Sequence, residues 1–138
     1  MSAARIFFDT NVLLCMYGGD AAKRTRAQQL FQQYAREGQI LLSTQVVQEF
    51  YAAGSQNLRM PRRDLREAVE ALLELPLVVV GPAHILAATE TEAQYEISFL
   101  DALIVTAAEA GGAEILLTEQ LNHGQRYRSV LVENPFRG

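Results

Sequence analysis

Short apolar runs alternate with longer stretches of helical spacing, and no other feature limits the folds open to this chain as much. The runs are residues 5–9 (RIFFD), 39–43 (QILLS), 76–80 (PLVVV), 113–118 (AEILLT) and 129–133 (SVLVE), each read as a short buried strand. Between the first two, "TNVLLCMY" begins a helix. Residues 21–37 then carry Ala27, Leu30, Phe31 and Tyr34 at helical spacing, with Gly38 as the stop. "TQVVQEFYAAG", 44–54, reads as a helix closed by Gly54, and residues 55–60 as a loop. Pro61 opens a helix over "PRRDLREAVEALLEL", the favoured place for proline. Residues 83–95 are helical, and Ser98 opens "SFLDALIVTAAEAGG", ended by Gly111 and Gly112. Strands alternating with helices predict an α/β fold with a mostly parallel central sheet covered on both faces. In such folds function gathers at the carboxyl ends of the strands, where Asp9 and the loop after Thr118 fall.

The 138 residues suit one compact domain, with no repeat, low-complexity segment or linker to divide it. Apolar residues are 49% and charged residues 20%, ordinary for a folded soluble protein. The net charge of −4 excludes a basic nucleic-acid-binding tail, so a nucleic-acid partner needs local basic patches or bridging metal ions. Eleven of the twelve basic residues are Arg and only Lys23 is Lys. Arg suits bidentate phosphate contacts, although a GC-rich genome explains the bias equally well. No apolar stretch approaches the ~20 residues of a membrane span. The first run contains Asp9 and Asn11 and lacks the pattern of a secretory leader. The lone Cys15 cannot make an internal disulfide and reads as a small buried hydrophobe. A reducing cytoplasm is the expected compartment.

Four carboxylates keep unusual company. Asp9 ends the first run, Glu49 sits in "VVQEFY", Asp101 in "SFLDALIV", and Glu119 follows "ILLT". On a helical wheel, Glu49 and Asp101 each lie on the flank of an apolar stripe. Converging carboxylates repel one another unless a cation neutralises them. Oxygen ligation of this kind suits Mg²⁺ or Mn²⁺, with waters completing the octahedron. Each acid also has a plainer reading. Asp9 can cap the next helix through the Asn11 or Val12 amide. Asp101 fits a capping box with Ser98. Glu49 can be a solvated flank residue and Glu119 a loop acid. Spacing alone leaves both sets of readings open.

"FFDTNVLL", "TQVVQEFY", "ISFLDALIVTAAEAGGAEILLTEQLNHGQ" and "ENPF" together resemble the PIN-domain family in order and local sequence. The resemblance is greatest to VapC-type toxins and their relatives. It runs along nearly the whole chain, residues 1–138 forming a single PIN-like domain, and is loosest between residues 55 and 95. It implies a Rossmann-like three-layer α/β/α sandwich and a Mg²⁺- or Mn²⁺-dependent endoribonuclease. Carried onto this sequence, it makes Asp9, Glu49 and Asp101 the catalytic and metal-holding acids, with Glu119 as a further ligand. Asn11, Thr118 and Gln120 would support the site. Relatives commonly place Asp where Gln120 stands, so a second metal site would be weakened more than the first. The resemblance also implies an RNA substrate, a cognate antitoxin and a homodimer, with no membrane partner.

Arg24 and Arg26, beside Lys23, are candidate contacts to RNA or antitoxin, as are Arg62 and Arg63 with Arg59 and Arg66. Arg62, Arg63 and Arg66 crowd a helix N-terminus, where the dipole disfavours cations by a few tenths of a kcal/mol. Their plainer reading is a solvated basic face offset by Asp64 and Glu67. His123 reads as a loop-stabilising or phosphate-contacting residue and His84 as a helix-start surface residue. Leu30, Phe31 and Tyr34 fit either an interface or a core stripe. Two rival functions remain. One is a PIN-fold binding module for RNA or protein with a weakened or inactive metal site. The other is a haloacid-dehalogenase-type phosphatase, disfavoured because Asn11 stands where that chemistry wants a second Asp.

Overall fold

The computed structural model describes residues 4–137. The chain runs β1 (Arg5–Phe8), α1 (Thr10–Cys15), α2 (Ala21–Arg36), β2 (Ile40–Ser43), α3 (Thr44–Gln56), α4 (Arg62–Leu73), β3 (Leu77–Val78), α5 (Pro82–Tyr95), α6 (Phe99–Ala110), β4 (Ala113–Leu117), β5 (Arg126–Tyr127) and β6 (Val130–Glu133). One six-stranded sheet has the order β3-β2-β1-β4-β6-β5, parallel throughout except where β5 pairs with β6. This is the mostly parallel α/β/α sandwich that the alternation of runs predicts.

Ile6, Phe7 and Phe8 are all buried, so β1 is covered on both faces, as an apolar run without alternation requires. Its neighbours are β2 on one side and β4 on the other. The chain builds outward from β1 to β2 and β3, then returns to β4 on the opposite flank. Strand order therefore reverses at β1, and a crevice opens beyond the carboxyl ends of β1 and β4. Phe8 receives Phe31 and Tyr34 edge-on, with ring centroids 5.7 and 6.1 Å away. Such pairs contribute about 0.5–1.5 kcal/mol each beyond burial. Leu30 is buried on the same helix, so this stripe of α2 belongs to the core.

The structure departs from the sequence reading in three places. The run 76–80 supplies only the two-residue edge strand β3, and Val79 beyond it is exposed. Gly54 does not close α3, which continues to Gln56. A Cβ at Gly54 would stand 2.8 Å from Leu65 Cδ1, so the glycine lets α4 approach α3. Residues 10–15 and 21–36 form the two helices read there, and Asp20 caps the second through the Ala22 and Lys23 amides. Strand β5, placed in a loop by the sequence reading, pairs antiparallel at the sheet edge. Gly38 does end the α2 segment, taking a φ of +67° that favours glycine.

Candidate active site

Asp9 follows the last residue of a central strand and caps α1. Burial leaves its carboxylate dependent on protein donors. Oδ1 accepts the Thr10 amide at 2.7 Å. Oδ2 accepts the Thr118 hydroxyl at 2.8 Å and the Asn11 side-chain amide at 3.1 Å. The cap bond thus comes from Thr10 rather than from Asn11 or Val12. The Val12 and Leu13 amides donate instead to the Asp9 backbone carbonyl. Capping uses one oxygen, and the other faces the end of β4. Burial raises the Asp9 pKa from 3.8 to about 6. Hydrogen bonds from Thr118 and Thr10 oppose that rise, while the charges of Glu49 and Asp101 add to it.

Glu49 reaches the same crevice from α3 with both oxygens engaged. Oε1 accepts the Thr10 hydroxyl and Oε2 the Gln45 side-chain amide, each at 3.1 Å. Gln45 lies one turn earlier on α3 and also donates to the Leu100 carbonyl at 3.2 Å. It therefore ties α3 to the start of α6, next to Asp101. The Ser98 hydroxyl accepts the Asp101 amide at 3.2 Å, which is half of the expected capping box. No reciprocal bond forms, and among the described residues the Asp101 carboxylate makes no hydrogen bond. Asp9, Glu49 and Asp101 line one cavity of about 220 Å³ with Thr10, Asn11 and Gln120. Segments far apart in sequence supply these three acids.

Thr118 is fully buried just beyond β4, where it also meets Asn11 Nδ2 at 3.1 Å. Asn11 Oδ1 in turn accepts the Glu119 amide at 3.1 Å. The expected supporting pair, Asn11 and Thr118, is thus in direct contact with Asp9. Asn11 donates to Asp9, so it offers no acid of the phosphatase type. Gln120 lines the cavity from an exposed position, and its amide donates to the Thr118 hydroxyl at 3.1 Å.

Glu119 stands apart from the other three acids. It does not line the cavity of the other acids, because Lys23 Nζ holds its Oε2 at 2.6 Å. Its Oε1 lies 3.9 Å from Cys15 Sγ, and Cys15 is half-buried rather than a core residue. Burial and the charge of Glu119 push that thiol above its ordinary pKa. Among the basic candidates, Arg26 lines a separate cavity, and Arg24 lines neither. Arg62 and Arg63 are exposed on α4, where Arg63 pairs with Glu67 and Arg66 with Glu70. His123 Nδ1 accepts the Asn134 amide at 3.0 Å, a loop-stabilising role. His84 Nδ1 accepts the Gly81 amide at 3.0 Å at the start of α5.

The donor chemistry fits a hard divalent cation. All three acids are oxygen donors, and the buried anion at Asp9 is costly without a counter-charge. Among the described residues, no three His, Cys, Asp or Glu side chains are close enough to grip an ion by themselves. Mg²⁺ suits such an open arrangement, since it keeps several waters and takes only one or two carboxylates. Sequence reasoning did not single out Gln45, although Gln45 and Glu49 share a helix face at i, i+4. It also missed Thr10, the residue between two candidates.

A family model described as the PIN domain matches residues 6–122. No curated protein matches the chain. A toxin–antitoxin complex from Klebsiella pneumoniae is 19% identical, with a TM-score of 0.71 over 97% of this chain and 98% of that one. DNA-bound VapBC from Salmonella typhimurium is 15% identical, with a TM-score of 0.70 over 96% and 99%. VapC20 of Mycobacterium tuberculosis, a sarcin–ricin-loop-cleaving toxin, is 20% identical, with a TM-score of 0.65 over 80% and 86%. At these identities the likeness is one of fold. Among the described residues, no helix is long and apolar enough to cross a membrane.

Proposed function

We propose, from the premise that the chain belongs to the PIN-domain family, that it is an endoribonuclease hydrolysing RNA phosphodiester bonds with Mg²⁺ or Mn²⁺. The observation that carries this reading is the shared cavity of Asp9, Glu49 and Asp101 at the point where strand order reverses. Asp9 and Asp101 would hold the ion, and Glu49 would join directly or through water. When bound, such an ion activates a water for in-line attack and stabilises the leaving oxygen. The protein's own part is orientation. Thr118, Asn11 and the Thr10 amide fix the two Asp9 oxygens. The Thr10 hydroxyl and Gln45 fix those of Glu49. With Gln120 neutral and Glu119 held by Lys23, a single ion is the arrangement we favour.

The biological reading is the toxin of a type II toxin–antitoxin pair in the cytoplasm, with residues 1–138 as one domain. It is supported by the toxin complexes whose fold this chain shares. A cognate antitoxin and a second copy of the chain are the partners proposed with it. Gln120 favours one alternative, a binding module for RNA or protein whose metal site is inactive. The test is cleavage of single-stranded RNA in Mn²⁺ by the wild type and by Asp101→Asn. Asp101→Asn should abolish cleavage and leave far-UV circular dichroism unchanged. Full activity in that variant would sink the assignment. Calorimetric titration with Mn²⁺ separates the alternative, since an inactive site takes up no ion.

A further inference from the structure

Beyond β6 the chain lies against the start of α2. Lys23, Arg26, Phe136 and Arg137 line a second cavity there, of about 270 Å³. Arg26 Nε donates to the Pro135 carbonyl at 3.3 Å, and Lys23 Nζ stands 5.4 Å from the centre of the Phe136 ring. A chain of contacts links its lining to that of the acidic cavity. Lys23 holds the Glu119 carboxylate, the Glu119 amide donates to Asn11, and Asn11 lines the acidic cavity.

We propose that this basic cavity binds one nucleotide of single-stranded RNA beside the cleaved phosphodiester. Arg26 and Arg137 would take its phosphate, and Phe136 would take its base or sugar. The proposal rests on the ribonuclease reading and names the substrate's foothold. Three observations carry it. The first is charge: a chain of net −4, with three acids at its proposed reaction site, repels a polyanion. Arg26 and Arg137 nevertheless converge on this cavity, beside the Lys23 that Glu119 neutralises. The second is availability. Among the described residues, ion pairs engage Lys23, Arg63, Arg66 and Arg128, and none engages Arg26 or Arg137. The third is the ring. A cationic groove with an aromatic wall holds single strands without reading sequence, whereas an acidic peptide would need only the charges. Lys23, neutralised by Glu119, braces the loop between the two cavities.

The experiment is fluorescence anisotropy of a labelled single-stranded oligoribonucleotide with the full chain in EDTA, over a range of salt. The variants are Arg26→Gln with Arg137→Gln, Phe136→Leu, and Arg62→Gln with Arg63→Gln. Glutamine at position 26 keeps a donor for the Pro135 carbonyl. The first pair should weaken binding at least about tenfold and reduce the salt slope by about 0.7, the value for one phosphate of a single strand. Phe136→Leu should weaken binding by about tenfold with the slope unchanged. The α4 pair should change neither. An equal loss in the α4 pair would reduce the effect to net charge and overturn the site. Undiminished binding in the Arg26/Arg137 pair would overturn it too. So would an acidic peptide that binds through Arg26 and Arg137 while RNA does not. Cleavage in Mn²⁺ separates the two ideas. A wild type that binds RNA through these residues but never cleaves it keeps the site and loses the nuclease reading. A double variant that cleaves with an unchanged KM loses the site alone.

Discussion

Replacing Asp9 by Asn should make the metal-free protein more stable at neutral pH and leave it nearly unchanged in acid. Burial sets the sign. The folded pKa of about 6 lies above the ordinary 3.8, so the folded state holds this proton more tightly than the unfolded chain does. The contribution to stability is fully present below pH 3.8 and is lost as pH rises through about 6. Two pKa units at about 1.4 kcal/mol each make the loss about 3 kcal/mol near pH 7.5. Near pH 4.5 only about 1 kcal/mol of it has been incurred. Asn carries no charge at either pH, but it offers one acceptor oxygen where Asp9 uses two. Standing where Oδ2 stood, that oxygen keeps the bonds from Thr118 and Asn11, and only the bond from the Thr10 amide is lost, at about 1 kcal/mol. Asp9→Asn should therefore gain about 2 kcal/mol near pH 7.5 and about nothing near pH 4.5. Urea unfolding followed by circular dichroism in EDTA measures both, with equal m-values as the check. A stability difference that does not change between the two pH values would refute the reasoning. Mn²⁺ at neutral pH should erase the advantage, because an ion bound to the folded wild type stabilises it by mass action.

Gln45→Ala should lower RNA cleavage by about 10–100-fold, the usual effect of removing a group that orients a ligand. Its stability cost should be small, because the variant also removes the buried Gln45 Oε1, which has no partner. Rates and urea midpoints read the two effects separately, and Gln45→Glu should be worse than Gln45→Ala through repulsion of Glu49. Glu119→Gln should leave kcat near the wild-type value while Glu49→Gln destroys it, since Lys23 holds Glu119 outside the acidic cavity. Equal losses of kcat in those two variants would restore Glu119 to the reacting set.

Alternation of apolar runs with helical spacing was enough to read the sheet, its parallel sense and the reversal at β1. Asp9, Glu49 and Asp101 were legible because each interrupts or flanks an apolar pattern where solvent was not expected. The fate of Glu119 was not, because its partner is 96 residues away and spacing carries no trace of that contact. Strand β5 is two residues long and depends on β6 for its conformation, so local sequence holds almost no signal for it. Gly54 misled for a similar reason. A glycine that permits close packing and one that ends a helix look alike until the neighbouring helix is in place.

The hydrogen bond from Thr118 to Asp9 spans 109 residues. During synthesis Asp9 leaves the ribosome early, yet the hydroxyl that orients its second oxygen arrives only after β4 has been made. Asp101 is similarly late, and β4 occupies one whole flank of β1. A nascent chain with β1, β2 and α3 already folded therefore has two of its acids and no assembled site. Docking of β4 against β1 and completion of the site are one event, so chains ending before β4 carry the acids without the hydroxyl that orients Asp9.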